Sequence, residues 1–295
     1  MAKKILIPFI FGIILLLHPV FLFGQSFWTE QADPLFSAMN RYFSGDTPGE
    51  QTLTPAEEYY LGRAVAANIL AAYKPYMVNA ELTNYVNLIC QALAINADQP
   101  AAYNGYHVMI LDSREINAFS TPGGHIFITK ALIDIVPSED ALAGIIAHEM
   151  AHVMLKHGIK MINDMKLTTE ADIMAQQAAA FAGNSGIKAL SFRDSVNDLF
   201  TSIVKSGYSQ PQEFEADNLA VKLLASAGYS PGGLLEMLNA LKTVQGGQSN
   251  SIFATHPPTS ERIANVQKQV SGYKVPDNSA ARRERFLRVM GSERR

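Results

Sequence analysis

The chain has 295 residues, 48% of them apolar, which is enough for one large core or two small ones. A formal net charge of −3 argues against a nucleic-acid partner. The single cysteine, Cys90, excludes a disulfide framework and any cysteine-rich metal site, and its setting NYVNLICQALA reads as a buried position in a helix.

The first stretch, MAKKILIPFIFGIILLLHPVFLFG, joins two lysines to roughly twenty mostly apolar residues. Position, charge and length predict an export signal over residues 1–24, cut after Gly24. The run is also long enough to stay uncleaved as a membrane anchor facing the periplasm. In both cases the bulk of the chain is expected in a bacterial periplasm. No later segment approaches that length of apolar sequence.

Residues 25–53 read as a loose lead-in. TPAEEYYLGRAVAANILAAY then opens a helix, with Thr54 as cap, Pro55 at its first position and Glu57 completing a capping box. A second helix covers about 81–95. YHVMILDS and GHIFIT read as short strands, and NAFSTPG between them carries turn residues. PSEDALAGIIAHEMAHVMLKHG reads as a helix capped by Ser138 and stopped by Gly158. An Ala-rich helical stretch spans 165–205. SQPQEFEADNLAVKLLASAGYSP is a further helix, with a capping box from Ser209 and Gln212 and an end at Gly228 and Pro231. PGGLLEMLNALKTV is another, and Thr259 caps a helix after HPP. The tail 276–295 holds six arginines against three acids and reads as a solvated helix or frayed end. The fold class is α+β, mostly helical, with one small antiparallel sheet.

HEMAH is the chemically distinctive stretch. Residues four apart share one helix face, so His148 and His152 can present two imidazoles to one metal ion. Glu149 sits about 100° round the helix, placed to reach a water on that metal without ligating it. Zinc needs neutral nitrogen ligands, a third ligand and an open position; it lowers the pKa of water, and the glutamate takes the proton. The apolar flanks predict a buried helix, where unpartnered histidines and acids are costly. His157 lies about 180° from His148 around the helix, so it points the wrong way and reads as solvent-facing.

Two glutamates compete as third ligand, Glu170 in TTEAD and Glu213 in QEFEAD. Glu213 opens a well-capped helix and has Asp217 four residues on, an acid suited to take the second N–H of a metal-bound histidine. This favours Glu213. Glu215 points away from both and reads as a surface acid. His107 and His125 lie in strand patterns and read as structural.

HEMAHVMLKHG, EFEADNLAVKLLASAGYSP and THPPTSER, in this order, with NAFSTPGGHIFITKALI ahead of them, resemble metallopeptidase family forty-eight over about residues 50–270. That family holds the CAAX prenyl proteases, the HtpX-type membrane proteases and soluble periplasmic BepA-type members. The resemblance implies a gluzincin-type zinc peptidase domain, here over 25–275, with one Zn2+ per chain on His148, His152 and Glu213 and with Glu149 as base. It implies that His256 and Arg262 face the scissile carbonyl, and that an extended substrate pairs with the strand near Gly124–Ile128, with Asn117, Gly124, His125 and Ile126 at the substrate. His256 would be either a transition-state donor or a removable fourth ligand. No repeats of about 34 residues are read, unlike BepA-type members with their TPR arrays.

The expected function is a zinc endopeptidase acting on extended, unfolded or misassembled envelope proteins, with the outer membrane or its assembly machinery as an expected site of association. The rival is a zinc-stabilised chaperone or assembly factor with latent proteolysis. The oligomeric state is not readable from the sequence.

Overall fold

A computed structural model describes residues 53–97, 103–167, 196–244, 252–257, 259–274 and 279–293. The export signal and the lead-in lie outside them, as does Glu170 with most of the Ala-rich stretch. In chain order the elements are α1 (Pro55–Ala72), α2 (Ala80–Ile95), β1 (His107–Leu111), β2 (Ala118–Thr121), β3 (His125–Thr129), α3 (Lys130–Ile135), α4 (Glu139–Met154) and α5 (His157–Leu167). A short π-helical turn at Ser202–Ser206 precedes α6 (Gln210–Ser226), α7 (Gly232–Val244), α8 (Ile252–Thr255), α9 (Ser260–Val270) and α10 (Ser279–Glu293).

The local start signals act as their chemistry dictates. Thr54 and Glu57 form the capping box of α1, and Ser209 and Gln212 form that of α6. Ser138 accepts from the Ala141 N–H at 3.1 Å at the head of α4. Cys90 is fully buried on α2, and burial pushes its thiol up to about 12, so it is an inert core residue.

Helix α4 runs through the centre. Every residue from Ala141 to His152 is buried. Helices α2, α6, α7 and α10 pack on it, together with β2 and β3. Its small residues permit this crowding: a Cβ on Gly144 would lie 2.8 Å from the Leu234 backbone nitrogen on α7, closer than side chains tolerate. Leu142 and Ile146, both fully buried, each contribute about 1.5–3 kcal/mol through burial.

The sheet is mixed, not purely antiparallel. Its order is β1-β3-β2, with β1 parallel and β2 antiparallel to β3. The turn expected across NAFSTPG is confined to its end: Ala118–Thr121 is a strand, and the chain reverses at Pro122–Gly123–Gly124, where Gly123 and Gly124 hold positive φ of 78° and 99°. All four residues of β2 are buried, so it lacks the polar–apolar alternation that marks a strand in sequence.

Two further expectations are corrected. Helix α4 does not run on to Gly158. It ends at Met154, Lys156 takes a left-handed φ of 56°, and α5 starts afresh at His157. The tail is not a solvated helix: Phe286, Val289 and Met290 of α10 are buried, Arg285 grips the buried Glu139, and Arg282 Nε lies 2.8 Å from Asp140 Oδ1. Helix α10 thus braces the first turn of α4. Phe286→Ala is expected to lower the unfolding free energy by about 3–5 kcal/mol in urea denaturation. A change within about 0.5 kcal/mol would instead mark a helix lying free in solvent.

Candidate metal centre and active site

Three elements converge on one buried spot. Helix α4 brings His148, Glu149 and His152, α6 brings Glu213 and Asp217 one turn apart, and α8 ends at His256, whose N–H donates to the Ile252 carbonyl at 2.7 Å. His148, His152, Glu213 and His256 each offer one donor atom within 4.8 Å of the others. His148 Nε2 lies 3.0 Å from His152 Nε2 and 3.5 Å from Glu213 Oε2. His152 Nε2 is 3.3 Å from Glu213 Oε1, and His256 Nδ1 is 3.3 Å from His148 Nε2 and 2.8 Å from Glu213 Oε1.

These separations fit a metal ion. Bonds of about 2.0–2.1 Å in a tetrahedral shell put neighbouring donors about 3.3 Å apart. Two imidazole nitrogens at 3.0 Å need a proton or a cation between them. Glu213 Oε2 and His256 Nε2 are buried without an aligned hydrogen-bond partner, as is His148 Nδ1, although it lies 3.0 Å from Asp217 Oδ1. Unmet buried polar atoms gathered at one point are what a cation relieves.

The electrostatics are those of a closed cluster. Burial opposes charge on His148, but the carboxylates of Glu213 and Asp217 outweigh it and push the ring up to about 9. Burial and the neighbouring His148 hold His152 well below the ordinary histidine value, though Glu213 pulls the other way. Glu213 is held well below the usual carboxylate range: burial works against ionisation, and His256, Arg262 and His148 overcome it. Asp217 is lowered in the same sense, its burial outweighed by Arg262 and His148.

Arg262 is buried against the acids of the cluster. Its guanidinium binds Asp217 with two bonds, Nε to Oδ2 at 2.8 Å and Nη2 to Oδ1 at 2.7 Å. Nη1 lies 3.1 Å from the Pro257 carbonyl and 2.5 Å from Glu213 Oε2. Its donors are aimed at carboxylates that need a counter-charge.

Glu149 stays outside the donor set, as the helix geometry requires. Its Oε2 accepts from Ser120 Oγ at 2.9 Å, and its Oε1 lies 3.6 Å from His256 Nε2. Asn117 is buried; its Oδ1 accepts from the Ala118 N–H at 3.0 Å and the Thr255 hydroxyl at 3.1 Å, tying β2 to the residue before His256.

The remaining substrate residues fall elsewhere. Strand β3 is the middle strand, paired on both edges, so no peptide can add to it. The Gly124 carbonyl already accepts from the His107 N–H, and Ile126 is fully buried in the core. His125 stacks on Tyr59, with centroids 5.1 Å apart, and meets Thr121 Oγ1 at 3.3 Å. The exposed His107 bonds the Asn104 carbonyl.

His157 is fully buried, not solvent-facing. The break at Lys156 turns it back, so that its Nδ1 lies 2.8 Å from His152 Nδ1 while its Nε2 meets Glu215 Oε2 at 3.1 Å. Glu215 is half exposed, as an outward acid should be, but it is not idle. Two more residues escape sequence reading: Ser120, and Tyr208, whose ring stacks on His152 at 3.9 Å and 14°. Tyr208 directly precedes the Ser209 cap, which fixes where α6 begins, but nothing local shows what its ring meets.

The sequence model of peptidase family M48 matches residues 80–270, a span that contains the whole cluster. The chain belongs to peptidase family M48. It is therefore a metalloprotease, as the ordered motifs implied. The metalloprotease LoiP of Escherichia coli is 32% identical over 194 residues, covering 65% of this chain and 72% of its own. The metalloprotease YcaL of the same organism is 27% identical over 187 residues, with 63% and 69% covered. The beta-barrel assembly-enhancing protease of Yersinia pestis is 23% identical over 259 residues, covering 83% of this chain and 51% of its own, so the chain spans about half of that relative.

The Arg262–Asp217 clamp makes a stability prediction. Asp217→Ala leaves the guanidinium short of a counter-charge in a buried setting and is expected to cost about 3–5 kcal/mol in chemical denaturation. Adding Arg262→Ala should cost less than the sum of the two single changes. Strict additivity would show that the pair is not coupled.

Proposed function

We propose that this M48 metalloprotease is a zinc endopeptidase that cuts extended segments of unfolded or misassembled envelope proteins in the periplasm. One observation carries the reading: His148, His152 and Glu213 converge at ligand spacing while Glu149 is held beside them without joining the set. A scaffold that used the metal only for stability would need no such base. Zinc, when bound by these three residues, would polarise the scissile carbonyl and make water a better nucleophile at neutral pH.

The residues of the chain do the rest. Ser120 anchors Glu149 Oε2, which leaves Oε1 to take a proton from the attacking water and pass it to the leaving amine. Asp217 orients His148, and Arg262 keeps both Asp217 and Glu213 ionised. An extended substrate would align along the outer edge of β2. That strand is buried here, with the Ser202–Ser206 turn packed against it.

The buried edge supports a closed resting state, and the position of His256 does too. Its ring stands inside the donor set, 2.8 Å from Glu213, which favours the removable fourth ligand over the transition-state donor. The apolar N-terminal stretch supports export, and the printed name of the beta-barrel assembly-enhancing protease supports association with the outer membrane or its assembly machinery. Among the described residues no helix is long and apolar enough to cross a membrane.

Glu149→Gln is expected to keep stoichiometric zinc and lose casein hydrolysis by at least about 10²-fold. Glu213→Gln should lose both, with zinc read by elemental analysis. Zinc retained by the Glu213 variant would remove that residue from the ligand set, and near-normal turnover in the Glu149 variant would assign the base elsewhere. His256→Ala is expected to raise basal hydrolysis and self-cleavage; a fall of about 10²-fold would make it a transition-state donor instead.

A further inference from the structure

We infer that His157 and Glu215 form a relay that fixes which nitrogen of His152 carries the proton, and so turns the His152 Nε2 lone pair towards the metal centre. This makes them positioning residues for the zinc site of the proposed function, and the inference rests on that reading.

The geometry allows one consistent arrangement of protons. His152 Nδ1 and His157 Nδ1 are 2.8 Å apart, so one of them carries a hydrogen and the other accepts it. The other nitrogen of His157, Nε2, lies 3.1 Å from Glu215 Oε2. An ionised carboxylate only accepts, so Nε2 must be the protonated nitrogen of His157. A second proton would make His157 a fully buried cation, which desolvation makes costly. Neutral His157 therefore has a bare Nδ1, which accepts from His152 Nδ1–H. His152 Nε2 is then the bare nitrogen, and it is the one facing Glu213 Oε1 at 3.3 Å and His148 Nε2 at 3.0 Å.

The backbone is shaped for this contact. A continuous helix would carry His157 to the far side of α4. Instead Lys156 adopts φ of 56°, a left-handed conformation that L-residues other than glycine rarely take. Its ammonium is tied to Glu58 Oε1 at 2.5 Å, which holds the turn against α1. The strained residue sits immediately before the histidine it redirects. Both histidine ligands then have an outer partner from the same stretch of α6: Asp217 contacts His148 directly, and Glu215 reaches His152 through the His157 ring. Lys160 Nζ lies 3.9 Å from Glu215 Oε2 at the exposed end of the relay.

The test uses the whole protein, with ring-nitrogen NMR of the metal-free form and competition for zinc against a chromogenic chelator. The metal-free spectrum should show His152 protonated on Nδ1 and His157 on Nε2; a proton on His152 Nε2 overturns the relay. His157→Leu should weaken zinc binding by about 10–100-fold, as loss of an outer partner does at such sites. His157→Asn, whose side-chain oxygen keeps an acceptor near the Nδ1 position, should stay close to wild type. Equal losses in both variants would reduce His157 to a packing role and overturn the inference. Glu215 is half exposed, so Glu215→Ala tests the relay without disturbing the core; it should leave His152 as a mixture of tautomers, and an unchanged spectrum counts against the relay. Wild-type protein that binds no zinc would sink the zinc reading, while the metal-free spectrum still decides the relay.

Discussion

Everything at the centre of this protein follows from placing charge on a buried helix. Helix α4 is covered on all sides, yet it carries two histidines and a glutamate, and its neighbours add Glu213, Asp217, His256 and Arg262, none more than 5% exposed. Water cannot solvate these groups, so each must find its counterpart within the protein. Arg262 supplies the permanent positive charge, and its two bonds to Asp217 and contact with Glu213 keep both acids ionised. The acids in turn favour charge on His148 and hold its ring in place. The separations of the histidine nitrogens suit a cation between them.

The surrounding fold serves this arrangement. Glu213 and Asp217 stand one turn apart on α6, so a single helix delivers one acid to the donor set and another to the ring behind it. The capping box at Ser209 fixes where that helix starts, and therefore which way the two acids face. On the other side, β2 supplies Ser120 to the Glu149 carboxylate, while Asn117 links the strand to Thr255 and so to the His256 segment. Base, donor set and strand are thus mechanically connected, which is what a peptidase needs if a bound peptide is to lie at a fixed distance from its base. At the far end, α10 closes over the first turn of α4 and neutralises Glu139 and Asp140 there.

Membership of family M48 agrees with this physical reading, and the chain itself adds particulars. His256 stands within the donor set, and all four residues of β2 are buried.

Much of this was legible in the sequence wherever the physics is local. Capping boxes at Thr54 and Ser209 need only residues three apart, and the pairs His148/His152 and Glu213/Asp217 need only the helical repeat. Burial of the site could be read from the apolar residues flanking HEMAH. The misreadings share a different cause. Strand β2 is buried on both faces and shows no alternation, so its backbone pairing with β3 was invisible. His157 faces solvent only on a helix that runs past Lys156, and the single left-handed residue that breaks it there leaves no periodic trace. The basic tail reads as solvated in sequence because Arg285 finds Glu139 only across 146 residues of chain. Arg262 meets Asp217 across 45, and nothing in either segment announces the other. Sequence by itself determined which chemical groups are present and which share a helix face, since helix geometry is set by neighbours. Only the tertiary structure decided what each group touches, because a buried charge is satisfied by whatever the folded chain brings to it.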